Sequence, residues 1–544
     1  MLELVHGVHS TDNGTPGQGW LLAFPRLRAM VQKSPKAATT PAALPPKRSS
    51  LDRYFAISRR GSTIGAEIRG GLVTFVTMAY IIALNPLIIG TVPDVNGNLI
   101  SGAPYKIDGV VSGANIGAAI VMVAAATALI AALMTIFMGV YARFPIALAT
   151  GLGINALLAA SIVTKMSWPQ AMGLIVWEGV IITVLVLTGF RKAVFRAVPH
   201  SLRIAISVGI GLFIALIGLR DSGFVRKPAG SLPVELGING NLFGWPTLIF
   251  VLGLILVIIL FVRKVKGALL ISIVGMTIVS VILEAIVKNG PAFGADGSVH
   301  PTGWQLNVPA ISGNIFQLPN LHLLFHVDMF GAFTAKPGGP TVVLSVIMTI
   351  FALLLSDFFD TMGTIFAVGS EAGLLDKHGN PPYMQQILIV DSVAAIAGGL
   401  GSVSSNTSYI ESASGVGEGA RTGLASVVTG LGFAVALLLT PLVNVVPSEA
   451  AAPVLVLVGF LMMQQVSELD WRDLEEAIPA FLTMVLMPFT YSITNGIGAG
   501  FLVYAFIKLF RGKARQVHPL MWVIVAMFFL YFSQGVILHW MKLG

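Results

Sequence analysis

The sequence has no cysteine and few charged residues. The absence of cysteine from the 544-residue chain excludes disulfides, thiolate nucleophiles, cysteine-liganded zinc and iron–sulfur clusters. Charged residues make up only 11% of the chain, whereas soluble domains average about 25%. A soluble protein of this length could not cover its surface with so little charge. The composition therefore argues against a soluble globular enzyme, a disordered chain and a coiled coil.

Apolar residues and glycine are abundant instead. The chain is 55% hydrophobic, its mean hydropathy is +0.84, and its 59 glycines are spread through the apolar stretches, as in closely packed membrane helices. The net charge of +8 indicates basic turns beside an anionic leaflet and not a nucleic-acid site.

Apolar stretches of roughly 15–23 residues recur along the chain, and most are long enough to cross a bilayer as a helix. A further aromatic-rich segment, 519–541, is either an interfacial helix or a fifteenth span. The fourteen predicted spans are 72–91, 117–139, 145–163, 169–189, 201–219, 246–262, 267–285, 342–358, 386–401, 405–420, 422–443, 451–466, 477–491 and 494–510.

Basic residues follow the even-numbered spans, for example Arg191 and Lys192, Arg263 and Lys264, and Arg511. Basic turns mark the cytoplasmic side, so we predict a multi-pass protein of the plasma membrane with a cytoplasmic N-terminus. The predicted regions are a flexible basic cytoplasmic tail (1–60), a first seven-segment repeat (61–290), an extracellular loop (291–341), a second seven-segment repeat (342–515) and a C-terminal apolar helix with its tail (516–544).

Two repeats of seven spans must lie in opposite orientations, because seven is odd. The third and tenth spans, which correspond in the two halves, both begin with small, polar or β-favouring residues and turn helical later, at 144–156 and 402–415. Non-helical backbone survives at membrane depth only inside protein or beside a cavity. We therefore predict an all-α polytopic fold with inverted repeats and a substrate site at its two broken segments.

Acidic residues in apolar surroundings are the candidates for chemistry. Asp357 and Asp360 end the eighth apolar run, and their spacing of three predicts one helix face. An isolated charge at that depth costs at least about 2.5–3.5 kcal/mol, which favours a functional role over a helix-end cap in contact with water. Glu411 lies in the broken tenth segment and Asn155 in the third. The alternatives are a capping carboxylate and an amide that bridges backbone.

Two motifs that suggest other sites lack the necessary context. Residues 151–156 match a dinucleotide fingerprint, but no strand–helix–strand unit surrounds them. His322 and His326 have the spacing of a metal pair without the glutamate of a zinc-protease motif. The sequence predicts no metal and no cofactor.

Several stretches resemble the AzgA-like purine permeases of the nucleobase–ascorbate transporter superfamily. The strongest are Asp357-Phe-Phe-Asp-Thr-Met-Gly-Thr364 and Ser408-Tyr-Ile-Glu-Ser-Ala-Ser-Gly415, and 66–86, 419–424 and 477–493 add to them. The similarity runs from about residue 51 to about residue 540.

The resemblance implies proton-coupled import of adenine, guanine or hypoxanthine. It implies a substrate-carrying core of segments 1–4 and 8–11, and a gate of segments 5–7 and 12–14 through which two chains form a homodimer. The family's functional positions match Asp357, Asp360, Glu411 and Asn155. Family members commonly have methionine where this chain has Leu152, and an aromatic residue where it has Leu157-Leu158, so the resemblance implies the purine class and not one purine.

The predicted mechanism assigns purine binding and proton exchange to these residues. An ionised Glu411, with Ser412 beside it, accepts N–H groups from the purine edge, while Phe359 and Tyr80 cover the ring. A buried carboxyl of the Asp357/Asp360 pair exchanges the coupled proton. Alternating access comes from the core sliding against the gate.

Three alternatives remain open from the sequence. One is a carrier of the same architecture for xanthine, uracil or an inorganic anion, although an anion would favour cationic groups in the core. Another is an intramembrane aspartyl hydrolase, but its usual Gly-x-Gly-Asp element is absent from the sequence. The third is a channel, which the paired broken segments favour less.

Overall fold

The computed structural model describes residues 49–189, 197–227, 234–292, 300–305, 307–310, 316–334, 340–376 and 380–540. The tail up to residue 48 and the basic residues Arg191 and Lys192 lie outside the described residues.

The described residues are predominantly helical. The helices are α1 (Ser50–Phe55), α2 (Ile64–Met78), α3 (Ile81–Ile89), α4 (Gly113–Phe137), α5 (Leu152–Leu157), α6 (Trp168–Leu187), α7 (His200–Asp221), α8 (Trp245–Val262), α9 (Ala268–Val287), α10 (Gly331–Thr334), α11 (Pro340–Glu371), α12 (Met384–Leu400), α13 (Ser412–Gly417), α14 (Gly423–Ala436), α15 (Ser448–Met463), α16 (Leu474–Phe489), α17 (Ile493–Phe510) and α18 (Pro519–Trp540).

Short strands and tighter or wider helical turns complete the secondary structure. The strands are β1 (Lys106–Ile107), β2 (Val110–Val111), β3 (Leu148–Thr150), β4 (Val225–Arg226), β5 (Glu235–Leu236) and β6 (Asn406–Ser408). Helices α4 and α5 continue as single π-helical turns, Met138–Ala142 and Leu158–Ile162. Helix α14 continues as a 3₁₀-helix, Leu437–Val445.

Ten helical stretches among the described residues are long and apolar enough to cross a membrane. The chain is therefore a helical, multi-pass membrane protein, as its composition predicts. Predicted segments without a span of that length are also helical in part. The third is the apolar stretch Leu152–Ile162 and the ninth is Met384–Leu400. The thirteenth corresponds to Leu474–Phe489.

The broken third and tenth segments are confirmed. In each, a three-residue strand precedes a six-residue helix. The strands β3 and β6 pair antiparallel, with Ala149 opposite Thr407. The pairing continues beyond the strands, because Gly151 N donates to Ser405 O at 2.9 Å and Tyr409 N to Ala147 O at 3.0 Å. The two segments thus satisfy each other's backbone groups where water is scarce.

Helices from the two halves of the chain pack against each other. Helix α2 packs on α13 and α14, α4 on α14, and α6 on α12, whereas α7 packs on α15 and α16. Glycine permits the closest crossing of α7 and α15, since a Cβ atom at Gly211 would lie 2.7 Å from the Gly459 carbonyl oxygen. Small residues allow such approaches between membrane helices.

The two ends of the described chain are helical. Helix α1 lies inside the range predicted as a flexible tail, which differs from that prediction because Phe55 and Ile57 are buried against Leu424. At the other end, α18 packs on α17 and α11, and the Phe528 ring contacts the rings of Phe501 and Phe351 at centroid distances of 6.0 and 6.2 Å. An interfacial helix and a fifteenth span stay the two alternatives for α18, of which Pro519–Ser533 is a shorter apolar helix.

Candidate functional site

A cavity of about 100 Å³ lies where both broken segments meet α11, α7 and α15. Its wall combines carboxylates, hydroxyls, glycine backbone and aliphatic side chains. The lining residues are Tyr80, Gly151, Leu152, Gly153, Ile154, Ile210, Ile214, Ser356, Asp360, Thr364, Ser408, Tyr409, Ile410, Glu411, Val458 and Met462.

Glu411 lies in this cavity, as predicted, directly before the first residue of α13. Its position follows from the end of β6, three residues earlier. The hydroxyl of Tyr80, a residue between α2 and α3 that is only 1% exposed, donates to Glu411 Oε1 at 2.6 Å. A hydrogen bond to a charged acceptor is stronger than a neutral one, so Tyr80 orients the carboxylate. The prediction for Tyr80 concerned its ring, and the structure adds this hydroxyl contact.

Asp360 also lines the cavity, between Ser356 and Thr364, which lie one helical turn before and after it on α11. Residues four apart share a helix face. Asp357 is buried, at 1% exposure, and is not among the lining residues. Of the two carboxylates predicted to share a helix face, Asp360 thus lies in the cavity and Asp357 is buried beside it.

Asn155 and Ser412 are buried beside the cavity and do not line it. Ser412 Oγ accepts from Ala147 N at 3.0 Å, which ties the start of α13 to the third segment. The Thr150 hydroxyl donates to Asn155 Oδ1 at 2.7 Å. Ser412 therefore links the two broken segments, whereas Asn155 holds the strand and the helix of the third segment together. The side chain of Phe359 lies outside the part of the structure that is described.

Asp391 on α12 is a buried carboxylate that our sequence analysis did not identify. It is 1% exposed and accepts hydrogen bonds from the Thr361 hydroxyl at 2.9 and 3.0 Å and from the Ser408 hydroxyl at 2.9 Å. The Thr407 and Thr361 hydroxyls lie 2.8 Å apart. This network joins α11, α12 and β6 behind the cavity. The sequence signal that could have identified Asp391 is an acidic residue within an apolar run.

Part of the cavity wall is aliphatic. Ile210 and Ile214 of α7 and Val458 and Met462 of α15 form it. Apolar residues in apolar helices give no sequence signal, so these positions could not be predicted. No lysine or arginine lines the described cavity, and its two carboxylates can accept hydrogen bonds from a ligand. The arrangement can therefore bind a ligand that has N–H donors on one edge and an apolar surface.

Comparison with known families and sequences identifies relatives along most of the chain. The model of a family described as "Permease family" matches residues 65–499. The adenine permease AdeP of Escherichia coli (strain K12) is 36% identical over 482 residues, which cover 88% of this chain and 95% of that protein. The guanine/hypoxanthine permease PbuG of Bacillus subtilis (strain 168) is 36% identical over 486 residues, or 89% and 99% of the two chains.

Solved structures share the fold at low sequence identity. The transmembrane domain of a cyanobacterium bicarbonate transporter, BicA, matches with a TM-score of 0.52 and 16% identity, over 80% of this chain and 96% of that one. Murine Slc26a9, an anion transporter in the inward-facing state, matches with a TM-score of 0.54 and 12% identity, over 93% and 77%. At such identities the likeness concerns the fold alone.

Proposed function

The chain belongs to the Permease family, and from this premise we propose that it imports purine nucleobases, namely adenine, guanine or hypoxanthine, by proton symport. One observation carries the proposal. Glu411 and Asp360 from different segments share one cavity at the broken helices, and aliphatic residues of α7 and α15 form part of its wall. The curated relatives named as adenine or guanine/hypoxanthine permeases support the cargo.

The cavity offers acceptors for a purine's N–H groups. Glu411, oriented by Tyr80, accepts from two of them, a charge-assisted arrangement. Backbone N–H groups at the start of α5, where Leu152 and Gly153 line the cavity, donate to ring nitrogens or a carbonyl oxygen, since the first N–H groups of a helix have no partner within it. The first N–H groups of α13 already donate to the carbonyl oxygens of Tyr409, Ile410 and Glu411. Ser412 supports this edge by linking α13 to the third segment, Asn155 by holding Thr150 within the third segment, and the Tyr80 ring covers the purine.

Asp360 carries the coupled proton, with Asp357 as the neighbouring carboxyl on the same helix. A proton that moves through 100 mV supplies about 2.3 kcal/mol. At about 1.4 kcal/mol per tenfold change, this energy sustains a purine gradient of roughly fifty-fold.

The packing supports fourteen spans in two inverted repeats, bounded at 61–290 and 342–515. The fourth span (α6) packs on the ninth (α12), and the second (α4) on the eleventh (α14). In two seven-span repeats the fourth span corresponds to the eleventh and the second to the ninth, so these two contacts are equivalent. The same holds for the fifth with the thirteenth and the sixth with the twelfth, which are α7 with α16 and α8 with α15.

In this plan segments 1–4 and 8–11 form a core that carries the substrate, and segments 5–7 and 12–14 form a gate. The cavity lies between them, because α7 and α15 supply its aliphatic wall. Transport is an elevator movement of the core against the gate, and the gate forms the homodimer. The protein lies in the plasma membrane with its N-terminal tail in the cytoplasm and the 291–341 loop outside.

Xanthine or uracil is the alternative cargo for the same architecture. An inorganic anion is disfavoured, because the described cavity contains two carboxylates and no lysine or arginine.

A competition uptake assay tests the cargo and the site together. We expect unlabelled adenine, guanine or hypoxanthine to suppress uptake of the labelled purine, with xanthine and uracil as the other competitors.

Glu411→Gln should abolish purine binding, because an amide presents one acceptor in place of two, while the protein still reaches the membrane. Glu371→Gln, at an exposed position at the end of α11, is the matched control. Unchanged uptake by Glu411→Gln would remove Glu411 from the site.

A further inference from the structure

A second cavity, of about 280 Å³, lies where the loop after α3, the start of α6 and the segment 321–326 meet. Its wall offers a carboxylate, two imidazoles, amides and hydroxyls, and no lysine or arginine lines this part of the described protein. No step of the proposed transport uses the cavity. The polar lining residues include Asp94, Asn96, Asn98, Ser167, His322 and His326.

The two histidines, which the sequence marks by their spacing of four, form a close pair in this cavity. Their ring centroids lie 4.6 Å apart and the ring planes differ by 30°. Both residues are exposed, so an ion can reach them from water. Two nitrogen ligands of one tetrahedral zinc ion lie about 3.4 Å apart, given Zn–N distances of about 2.0–2.1 Å. Rings at the observed separation can each turn one nitrogen toward such an ion.

The backbone that carries the histidine pair is fixed to the rest of the protein. Leu323, between the two histidines, is 1% exposed, and its carbonyl oxygen accepts a hydrogen bond from the Ser402 hydroxyl at 2.9 Å. Phe325 N donates to the Leu400 carbonyl oxygen at 2.6 Å. The two imidazoles are therefore held near each other without a ligand, which lowers the entropic cost of binding one.

Asp94 gives the cavity a negative charge. It is 8% exposed; its Oδ1 accepts from Asn96 N at 2.8 Å and from Asn98 N at 3.0 Å, and its Oδ2 accepts from Trp168 N at 3.2 Å. An ionised carboxylate has about four acceptor positions, so one position on Oδ2 remains for a metal-bound water. The described residues contain no group of three histidine, aspartate or glutamate side chains that could hold a metal ion, so water has to complete the coordination.

We propose that this cavity binds one divalent transition-metal ion of the zinc type through His322 and His326, with water as the remaining ligands. Imidazole is a preferred ligand of Zn²⁺, Ni²⁺ and Cu²⁺, whereas Mg²⁺ and Ca²⁺ prefer oxygen. The sequence predicts no metal because a pair of histidines alone lacks context, and the structure adds the shared cavity and a carboxylate that complements the charge of the ion.

The proposed orientation places this cavity on the outer face of the membrane, because the loop after the first span and the 291–341 loop both lie outside in that plan. The ion then comes from the external medium. Binding to the purified protein does not depend on the proposed transport or on its direction.

Isothermal titration calorimetry of the full chain tests the site, after purification through a tag without histidine and removal of metal with a chelator. We expect Zn²⁺ to bind and Mg²⁺ and Ca²⁺ not to bind. His322→Gln and His326→Gln should each weaken Zn²⁺ binding at least about tenfold, because loss of a group that only orients a metal ligand already costs about 10–100-fold.

Two control variants remove other histidines. His6→Gln/His9→Gln removes the other closely spaced histidine pair of the sequence, and His518→Gln removes an exposed histidine that does not line the cavity. Both controls should keep the binding that His322→Gln and His326→Gln lose. Electron paramagnetic resonance of the Cu²⁺ complex is a second readout, with hyperfine splitting expected from two nitrogens in the wild type and from one in either single variant.

Absence of Zn²⁺ binding, or wild-type affinity in both His322→Gln and His326→Gln, would overturn the proposal. Ca²⁺ binding as tight as Zn²⁺ binding would also overturn it, because it would indicate a site made of oxygen ligands. Loss of binding only in His6→Gln/His9→Gln would assign the ion to the amino-terminal pair instead.

Discussion

At the scale of single residues, the acidic side chains could be found from the sequence but their directions could not. Glu411 and Asp360 were predicted because ionisable residues in apolar runs are rare and expensive, and both line the cavity. Asp357 carries the same signal and lies outside that lining. Side chains three residues apart on a helix differ by about 60° in direction, and only packing decides which one faces the cavity.

Ser412 shows the same limit. Its place in the broken segment predicted contact with substrate, whereas its Oγ accepts from Ala147 N at 3.0 Å. That contact joins residues 265 positions apart in the chain, which no local pattern contains. The hydrogen bond from Tyr80 to Glu411 joins residues 331 positions apart and was equally invisible.

Asp360→Asn tests proton coupling at this scale. If Asp360 carries the proton, wild-type uptake increases as the external pH falls, because the proton is a co-substrate, and a protonophore collapses accumulation. The amide cannot ionise, so the variant should retain purine binding but lose most of the pH dependence and the accumulation. Initial uptake rates across the acidic to neutral range, with and without the protonophore, measure this.

The exposed Glu371→Gln variant should keep the wild-type profile. An unaltered pH profile in Asp360→Asn would place coupling on another group. Accumulation that survives the protonophore would refute proton symport altogether.

At the scale of elements, the two broken segments were predictable because their composition changes within an apolar stretch. Small, polar and β-favouring residues precede the helical part in both, and the structure has a strand before a short helix in each. The antiparallel register, with Leu148 opposite Ser408, depends on contacts between distant parts of the chain. The sequence therefore predicted where the helices break and not how the breaks pair.

Gly415→Ala tests how tightly α13 is held. A Cβ atom at Gly415 would lie 2.2 Å from Thr74 Oγ1 and 2.4 Å from the Gly70 carbonyl oxygen, so α13 must shift away from α2 and move Glu411. Forced overpacking typically costs about 1–3 kcal/mol. Purine uptake should fall at least about tenfold at equal amounts of protein in the membrane.

Gly417→Ala is the matched control, because a Cβ atom at this position of the same short helix has no atom within 4 Å. It should transport normally. Equal uptake by the two variants would show that the α2–α13 contact does not position the site.

At the scale of the whole molecule, hydropathy predicted a multi-pass protein but overstated how regular its spans are. Ten described helices have the length and composition of a span, because some predicted segments are divided between strand and helix or shortened by turns. The arrangement of core and gate came from resemblance and not from hydropathy, since apolar periodicity does not say which helices become neighbours.

A disulfide between α5 and α7 tests movement of core against gate. A Cβ atom built at Gly153 lies 4.0 Å from Ile210 Cβ, within the usual range of about 3.5–4.5 Å for a disulfide. The chain has no cysteine, so Gly153→Cys/Ile210→Cys introduces the only thiols. Oxidation should stop purine uptake, and reduction should restore it.

Each single cysteine variant should take up purine at the same rate before and after oxidation. Full uptake by the oxidised, cross-linked double variant would mean that α5 and α7 do not move relative to each other, which would contradict the elevator movement.

The pairing of β3 with β6 has a consequence for biosynthesis. A ribosome that adds about 5–20 residues per second makes Asn406–Ser408 only after about 250 further residues have followed Leu148–Thr150. For some 10–50 s β3 therefore lies in or near the translocon before the strand with which it pairs has been synthesised. Productive insertion of the nascent chain thus requires that the unpaired backbone groups of β3 be protected by an insertase, by a chaperone or by a temporary structure of the amino-terminal half.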